Sequence, residues 1–383
     1  MNDTQGQNNF TPSLTPYHVL GVFLFSRLCF WFLAQYKGIS FVGGICAWDC
    51  NWYIQIAEQG YDDLPHAGMS GNAANWPFFP LYPLLIRGLS FIIPITAKWA
   101  GLLIANISMY FAILLSLRYL KQTRTQVSET FWVGLCCFGP FSFYFASGYS
   151  ESLFWLLGCA TLLLWQRKDY LKAGFAAMLL SATRFFGIFW PIAWVVELFC
   201  LGGFAAIIKL TNTPKKLFAI CLAPLGLCLF IFYLHHHVGD GLAFIHVQKA
   251  WGRGVFPYWI ELQHTLSFWS DFGPLFNENP NTRYSFAYFN LFACLGIILL
   301  IFLARQKRYF EAAVALMLMV TVFKAGIIGV PRYMFGIPVF AFAVHDMALR
   351  FLASPLRLTL GIILALFNFW LIMNWYESAF FLV

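Results

Sequence analysis

An aspartate heading an aromatic helix, a glutamate at the start of an apolar run and a few isolated cations are the residues here equipped for chemistry. Asp49 stands in WDCNWYIQIAEQGY, residues 48–61. Trp48, Trp52 and Ile56 recur at fours and predict one apolar helical face, with Asn51, Gln55 and Glu58 on the other. Gly60 is placed to end that helix, which leaves Asp62 beyond it as a bystander. A carboxylate in the Asp49 position caps the helix, takes a proton from an incoming hydroxyl, or does both. Glu151, in SGYSES (147–152), caps or begins another helix. Arg184 and Arg332 are either anchors at a membrane edge or a clamp for a phosphate, to which a guanidinium offers a bidentate fork. Lys324 adds a point charge near Arg332.

The elements that must position these residues are overwhelmingly apolar. Hydrophobic types make up 60% of the 383 residues, aromatics 20% and charged residues 10%, and the mean hydropathy is +0.70. Ordinary soluble proteins carry roughly 25% charged residues. Many runs approach the length of about 20 residues that a bilayer core requires. The fold class is therefore an all-α polytopic membrane protein, read as a single domain over 1–383. The formal charge of +8 is divided among small clusters between apolar runs. That is the positive-inside pattern and excludes a nucleic-acid partner. The first fifteen residues are polar and lack a basic region, so the first apolar run is expected to remain as an anchor.

The predicted spans are about 16–36, 98–118, 129–147, 150–166, 170–186, 187–208, 216–236, 288–304, 309–326, 331–350 and 358–380. A further run, 77–95, is interrupted by Pro77, Pro80, Pro83 and Pro94 and contains Arg87. Charge decides where it lies. If it rests in the interface, five clusters fall on one side: Arg118/Lys121/Arg124, Arg167/Lys168/Lys172, Lys209/Lys215/Lys216, Arg305/Lys307/Arg308 and Arg350/Arg357. These hold fourteen of the 24 Lys and Arg residues.

About eleven spans follow, with the N-terminus inside. The first loop (37–97), the 147–152 turn, Arg184, the long loop (237–287) and the Lys324/Arg332 turn then share the outer face. Trp259, Leu262, Leu266 and Trp269 predict an amphipathic helix in the long loop. Arg27, inside the first span, must snorkel or pair. Most of the ten cysteines sit in apolar runs as small hydrophobes. Cys46 and Cys50 fall in the first loop, where a disulfide is possible on an oxidising side. His235, His236 and His237 suggest a metal, but neighbours on a helix diverge, and no residue is assigned to one. The sequence has no Walker loop, GxGxxG turn or HExxH pair.

An outer-face acid with cations nearby suits glycosyl transfer from a polyprenyl-phosphate sugar. Such a donor is already activated, so neither a nucleotide site nor a cofactor is needed. The carboxylate takes the acceptor's proton, and fixed positive charge stabilises the leaving phosphate.

The motifs also carry a resemblance. WDCNWYIQIAEQGY followed by FFPLYPLLIR (78–87) resembles the signature of the PIG-V-type mannosyltransferases, in the GT-C superfamily of polyprenyl-phosphate-sugar-dependent enzymes. SGYSESLFWL (147–156), TRFFGI (183–188), GDGLAFIHVQKAWGR (239–253) and PRYMFGIPVF (331–340) match in order. The resemblance implies a GT-C-like bundle with juxtamembrane helices in the first extracytoplasmic loop. It implies inverting transfer with Asp49 as general base; Glu151, Arg184, Gln248, Trp251, Lys324 and Arg332, on the outer face, are the residues expected along the substrate. Mannose as the sugar rests on the resemblance alone. The implied partners are membrane lipid, a polyprenyl-phosphate-linked sugar and an acceptor that is a glycolipid, a glycan or a protein. The short loops resemble a bacterial branch, and hence an inner membrane rather than the endoplasmic reticulum.

Two readings compete. A polymerase or ligase of polyprenyl-linked glycans would leave the first-loop motif without a role. A lipid or solute transporter would need ionisable residues at the midplane, for which Arg27 and Glu197 are candidates, and would commonly show internal repeats, which are not evident here.

Overall fold

A computed structural model describes residues 14–66, 72–251, 253, 280–325, 329–378 and 382. The regular elements among them are helical, apart from an isolated bridge between His66 and Ala73. In chain order they are α1 (Pro16–Tyr36), α2 (Phe41–Ile45), α3 (Asp49–Gln59), α4 (Leu81–Ile92), α5 (Ala97–Thr123) and α6 (Glu129–Phe138). Then come α7 (Glu151–Gln166), α8 (Tyr170–Ser181), α9 (Phe189–Ile208), α10 (Pro214–Leu222), α11 (Leu225–Val238) and α12 (Ala243–His246). The last five are α13 (Pro280–Arg305), α14 (Tyr309–Ala325), α15 (Val330–Phe335), α16 (Pro338–Phe351) and α17 (Ser354–Tyr376).

Six stretches are long and apolar enough to cross a membrane by themselves: Pro16–Tyr36, Ala97–Thr123, Phe185–Ile208, Pro214–Val238, Tyr288–Arg305 and Ser354–Tyr376. The chain is thus a multi-pass integral membrane protein. The other expected spans are shorter helices, down to 10 residues in α6. Three of them end early for local reasons. Gly139 and Pro140 stop α6 at Phe138, and turns fill 139–149. The expected 170–186 span ends at Ser181, leaving Arg184 in extended backbone (φ −156°, ψ 150°) ahead of a 3-10 turn, Phe185–Ile188. The expected 331–350 span is cut at Gly336–Ile337, so Arg332 rides on a six-residue helix of its own.

Helix α4 has 12 residues, about 18 Å at 1.5 Å per residue, well short of a bilayer core of about 30 Å. It buries Tyr82 and Ile86 in a cluster with Tyr53, Ile56, Ala97 and Ala100, and exposes Leu84, Leu85, Phe91 and Ile92. The Tyr82 hydroxyl donates to the Gly101 carbonyl at 2.8 Å.

The first loop is more tightly organised than its sequence suggests. The buried face of α3 is Cys50, Tyr53, Ile56 and Ala57, and Trp48 precedes the helix rather than lying on it. Asp62 is no bystander. Its carboxylate accepts from Gln55 Nε2 at 3.0 Å and from the Asn75 backbone N–H at 2.9 Å, and its own N–H donates to Asn75 Oδ1 at 3.0 Å. This clasp docks the loop, and Trp76 and Phe79 then pack on Phe230 and Leu234 of α11 and on Phe244 of α12. Cys46 and Cys50 form a disulfide. The helix expected around Trp259–Trp269 lies outside the described residues.

Within the bundle, Arg27 pairs instead of snorkelling. Its Nε donates to Asn106 Oδ1 at 2.6 Å, and the guanidinium lies 4.3 Å from the Phe23 ring centroid. At the end of the bundle where α5 finishes, Arg124 binds Glu311 at 2.8 Å and Asp346 at 2.8 Å, tying α5 to α14 and α16. Arg308 donates to the Thr123 carbonyl at 3.2 Å. Two clusters that charge alone assigned to one side therefore meet.

Candidate active site

Helix α7 begins at Glu151, and four charged side chains converge there from four segments. Helix α3 supplies Asp49, α7 supplies Glu151, the extended link after α8 supplies Arg184, and α15 supplies Arg332. Arg332 bridges the two acids: Nη1 lies 2.6 Å from Asp49 Oδ2 and Nε lies 2.6 Å from Glu151 Oε1. Arg184 Nη1 reaches the same Glu151 oxygen at 2.6 Å. The quartet is electroneutral.

Exposure separates the two carboxylates. The Glu151 side chain is 0% exposed, whereas that of Asp49 is 22% exposed. The shortest contact between Arg332 and Asp49 is through Oδ2, and Asp49 Oδ1 makes no hydrogen bond among the described residues. The helix-cap alternative for Asp49 does not hold, because its carboxylate points to Arg332 and not to the backbone of α3. Glu151, expected to touch substrate, is sealed beneath two guanidiniums. Those arginines differ too: the Arg332 side chain is 5% exposed and serves both acids, while Arg184 is 11% exposed and serves one.

Burial makes Glu151 a structural keystone. Glu151→Ala would leave two buried guanidiniums short of a partner, and losing one side of a buried pair costs about 3–5 kcal/mol. A marked drop in the melting temperature of the detergent-solubilised protein is expected. Glu151→Gln, which keeps the shape and one acceptor, should lose less. Equal melting temperatures for Glu151→Ala and wild type would refute this assignment.

Aromatic hydroxyls complete the site, and sequence reasoning missed them. The Tyr149 hydroxyl donates to the Ala47 carbonyl at 3.1 Å and accepts from the Asp49 N–H at 3.2 Å, while its ring lies 4.4 Å from the Arg332 guanidinium. Tyr53 and Ser150 share a hydrogen bond of 2.7 Å beneath Arg184. Tyrosines at two positions before Glu151 and four after Asp49 are visible signals only once both acids are known to meet.

The remaining expected residues are dispersed. Gln248 accepts from Arg253 Nη1 at 3.4 Å, and Arg253 also donates to the Tyr333 hydroxyl, next to Arg332. Arg253 meets no carboxylate among the described residues. Trp251 stands edge-on to Trp52, which stacks on Phe78, making an aromatic wall along α3. Lys324 does not join the site: it is exposed on the last turn of α14 and makes no ion pair with the quartet. The histidines end α11, where His237 lies 3.3 Å from Asp63 and not against the quartet. Beyond them, Asp240 accepts from His246 at 2.6 Å, a bond that lowers the Asp240 pKa. The transport candidates do not meet either: Arg27 is held by Asn106, and Glu197 lines a cavity of about 310 Å³ with Lys307 and Arg308. A cavity of about 380 Å³ lies between α6 and α17 and includes none of the quartet.

Comparison with known proteins bears on this arrangement. The chain is similar to GPI mannosyltransferase 2 of Schizosaccharomyces pombe, with 29% identity over 152 residues, 38% of this chain and 30% of that protein. It is also similar to GPI alpha-1,6-mannosyltransferase 2 of Cricetulus griseus, with 26% identity over 242 residues, 55% of this chain and 46% of that protein. Matches to these curated relatives thus span less than half of their lengths. No solved structure matches. The mannosyltransferase (PIG-V) family model matches residues 11–254, which include Asp49, Glu151, Arg184 and Arg253, and because this is well over half of the sequence, the chain belongs to the PIG-V mannosyltransferase family.

Proposed function

We propose that this protein is an inverting glycosyltransferase of GT-C-like architecture that moves a sugar from a polyprenyl-phosphate donor to an acceptor hydroxyl at the extracytoplasmic face. The observation that carries the reading is the contrast between the two acids: Asp49 is 22% exposed and meets one arginine, whereas Glu151 is fully buried beneath two. Oδ1 takes the acceptor proton as the acceptor oxygen attacks the anomeric carbon, and the bond from that carbon to the phosphate oxygen breaks. Arg332 holds the base in its orientation. Arg184, with one carboxylate partner, and Arg253, with none among the described residues, supply the positive charge for the departing lipid phosphate. Trp52, Phe78 and Trp251 offer an apolar wall for the sugar or the prenyl chain. The relatives' names support mannose as the sugar and a glycolipid as the acceptor. The bacterial inner membrane, about eleven spans and an internal N-terminus belong to the same proposal.

The primary test supplies labelled polyprenyl-phosphate mannose, with a lipid extract of the host membrane as acceptor, to wild type and Asp49→Asn. Failure of the wild type to transfer label would refute the donor assignment. Sidedness has its own test. With exposed Cys200, Cys221 and Cys228 replaced by serine, a membrane-impermeant maleimide applied to intact cells should label Leu64→Cys and miss Asn212→Cys. Labelling at 212 from outside would invert the topology and with it the face of the site.

A further inference from the structure

We infer that the Cys46–Cys50 disulfide and Tyr149 are positioning elements for Asp49, so that transfer depends on the oxidised state of this one bond; the inference rests on Asp49 being the base. The disulfide closes a ring of five residues, Cys46 to Cys50, and Asp49 is inside it. Trp48, at the head of α3, is held at φ 51° and ψ −114°. A bulky residue at positive φ is an outlier that persists only where its surroundings over-determine it. Here two restraints do so. The disulfide clamps the flanks of Trp48, and the Tyr149 hydroxyl bonds both neighbours, the Ala47 carbonyl and the Asp49 N–H. Helix heads ordinarily begin from extended backbone, and relaxation of Trp48 towards it would turn the first residue of α3, swinging the carboxylate off Arg332.

The packing reserves space for the bond. A Cβ at Gly148 would lie 2.4 Å from Cys50 Sγ, so the residue before Tyr149 must be glycine for the chain to pass the disulfide. Both cysteines are buried, at 2% and 1% exposure. So small a ring removes less chain entropy from the unfolded state than a long one does, which assigns its effect to local geometry more than to global stability. An oxidised bond is also what an extracytoplasmic loop sustains.

The test is the double variant Cys46→Ser/Cys50→Ser, assayed with polyprenyl-phosphate mannose and the host lipid extract. A carboxylate displaced by about 1 Å costs on the order of 10²-fold in rate. The expected result is a kcat lowered about 10- to 100-fold, donor KM within about twofold of wild type, and a melting temperature that moves little. Tyr149→Phe should show the same split between kcat and KM. If the double variant does not fold, wild type treated with a phosphine serves instead: the phosphine gives two electrons to the disulfide and takes oxygen from water, whose two protons go to the thiolates, so two thiols and phosphine oxide form, and activity should fall and return on reoxidation. Wild-type kcat in the double variant or in reduced protein would overturn the inference, as would alkylation of both cysteines in untreated protein. Asp49→Asn separates the two levels. If it is inactive while the cysteine variant is active, only the positioning role fails; if it is active, the reading of the base fails.

Discussion

Asp49→Asn is expected to lower kcat about 10²–10⁴-fold, the usual range for loss of a general base, while donor KM and melting temperature stay close to wild type. The side-chain oxygen of asparagine can still accept from Arg332, so the link across the quartet survives. What is lost is the open oxygen, replaced by an NH2 group that donates and cannot take the acceptor's proton. Asp49→Glu should recover little, because the added methylene displaces the carboxylate beyond the roughly 1 Å such geometry tolerates. The control is Glu58→Gln, an exposed acid on the same helix, which should be silent. Steady-state transfer with each variant decides the matter. Near-wild-type kcat in folded Asp49→Asn would remove Asp49 as the base. Glu151 could not simply replace it, since its side chain is fully buried.

Arg332→Ala should be the second most damaging change, in both stability and rate. It takes one partner from two carboxylates, of which Glu151 is buried and Asp49 is 22% exposed. Removing one member of a buried pair costs about 3–5 kcal/mol, lessened here because Arg184 still holds Glu151. The rate should fall by on the order of 10²-fold, as for other lost electrostatic contacts, and the fall should lie in kcat because the base has lost its orientation. Arg332→Lys restores charge but not the fork that reaches Asp49 with Nη1 and Glu151 with Nε, so it should recover only part of either effect. Arg184→Ala should instead raise donor KM. The opposite division, with Arg332→Ala raising donor KM at unchanged kcat, would return Arg332 to the phosphate-clamp role that its place in the sequence suggests.

Much of the site was legible because its residues break the apolar rule around them. Asp49, Glu151, Arg184 and Arg332 are charges at the edges of hydrophobic runs, where transfer cost makes any charge conspicuous. Lys324 fits the same description and lies outside the site. Tyr53 and Tyr149 were not legible, since in a chain this aromatic a buried tyrosine looks like core until its hydroxyl partner is known. The places where predicted spans end early carry a further lesson. The 139–149 turns, the extended link at Arg184 and the short helix at Arg332 all depart from regular helix next to the quartet. Local regularity yields where several segments must deliver side chains to one point.

The sequence by itself determined the membrane class, the grouping of cations into small clusters between apolar runs, the proline-interrupted run 77–95 and the acid heading α3. Each of these follows from transfer free energy and spacing within a single segment, and such terms can be read one stretch at a time. Only the tertiary structure decided which acid stays open, which arginine is committed to two carboxylates, and that Asp62 is a clasp. Those properties depend on contacts between segments far apart in the chain, such as the 181 residues between Glu151 and Arg332 or the 100 between Asp49 and Tyr149. The exposure of a carboxylate is set by the neighbours that cover it, and no hydrophobic pattern along the chain encodes which neighbours those will be.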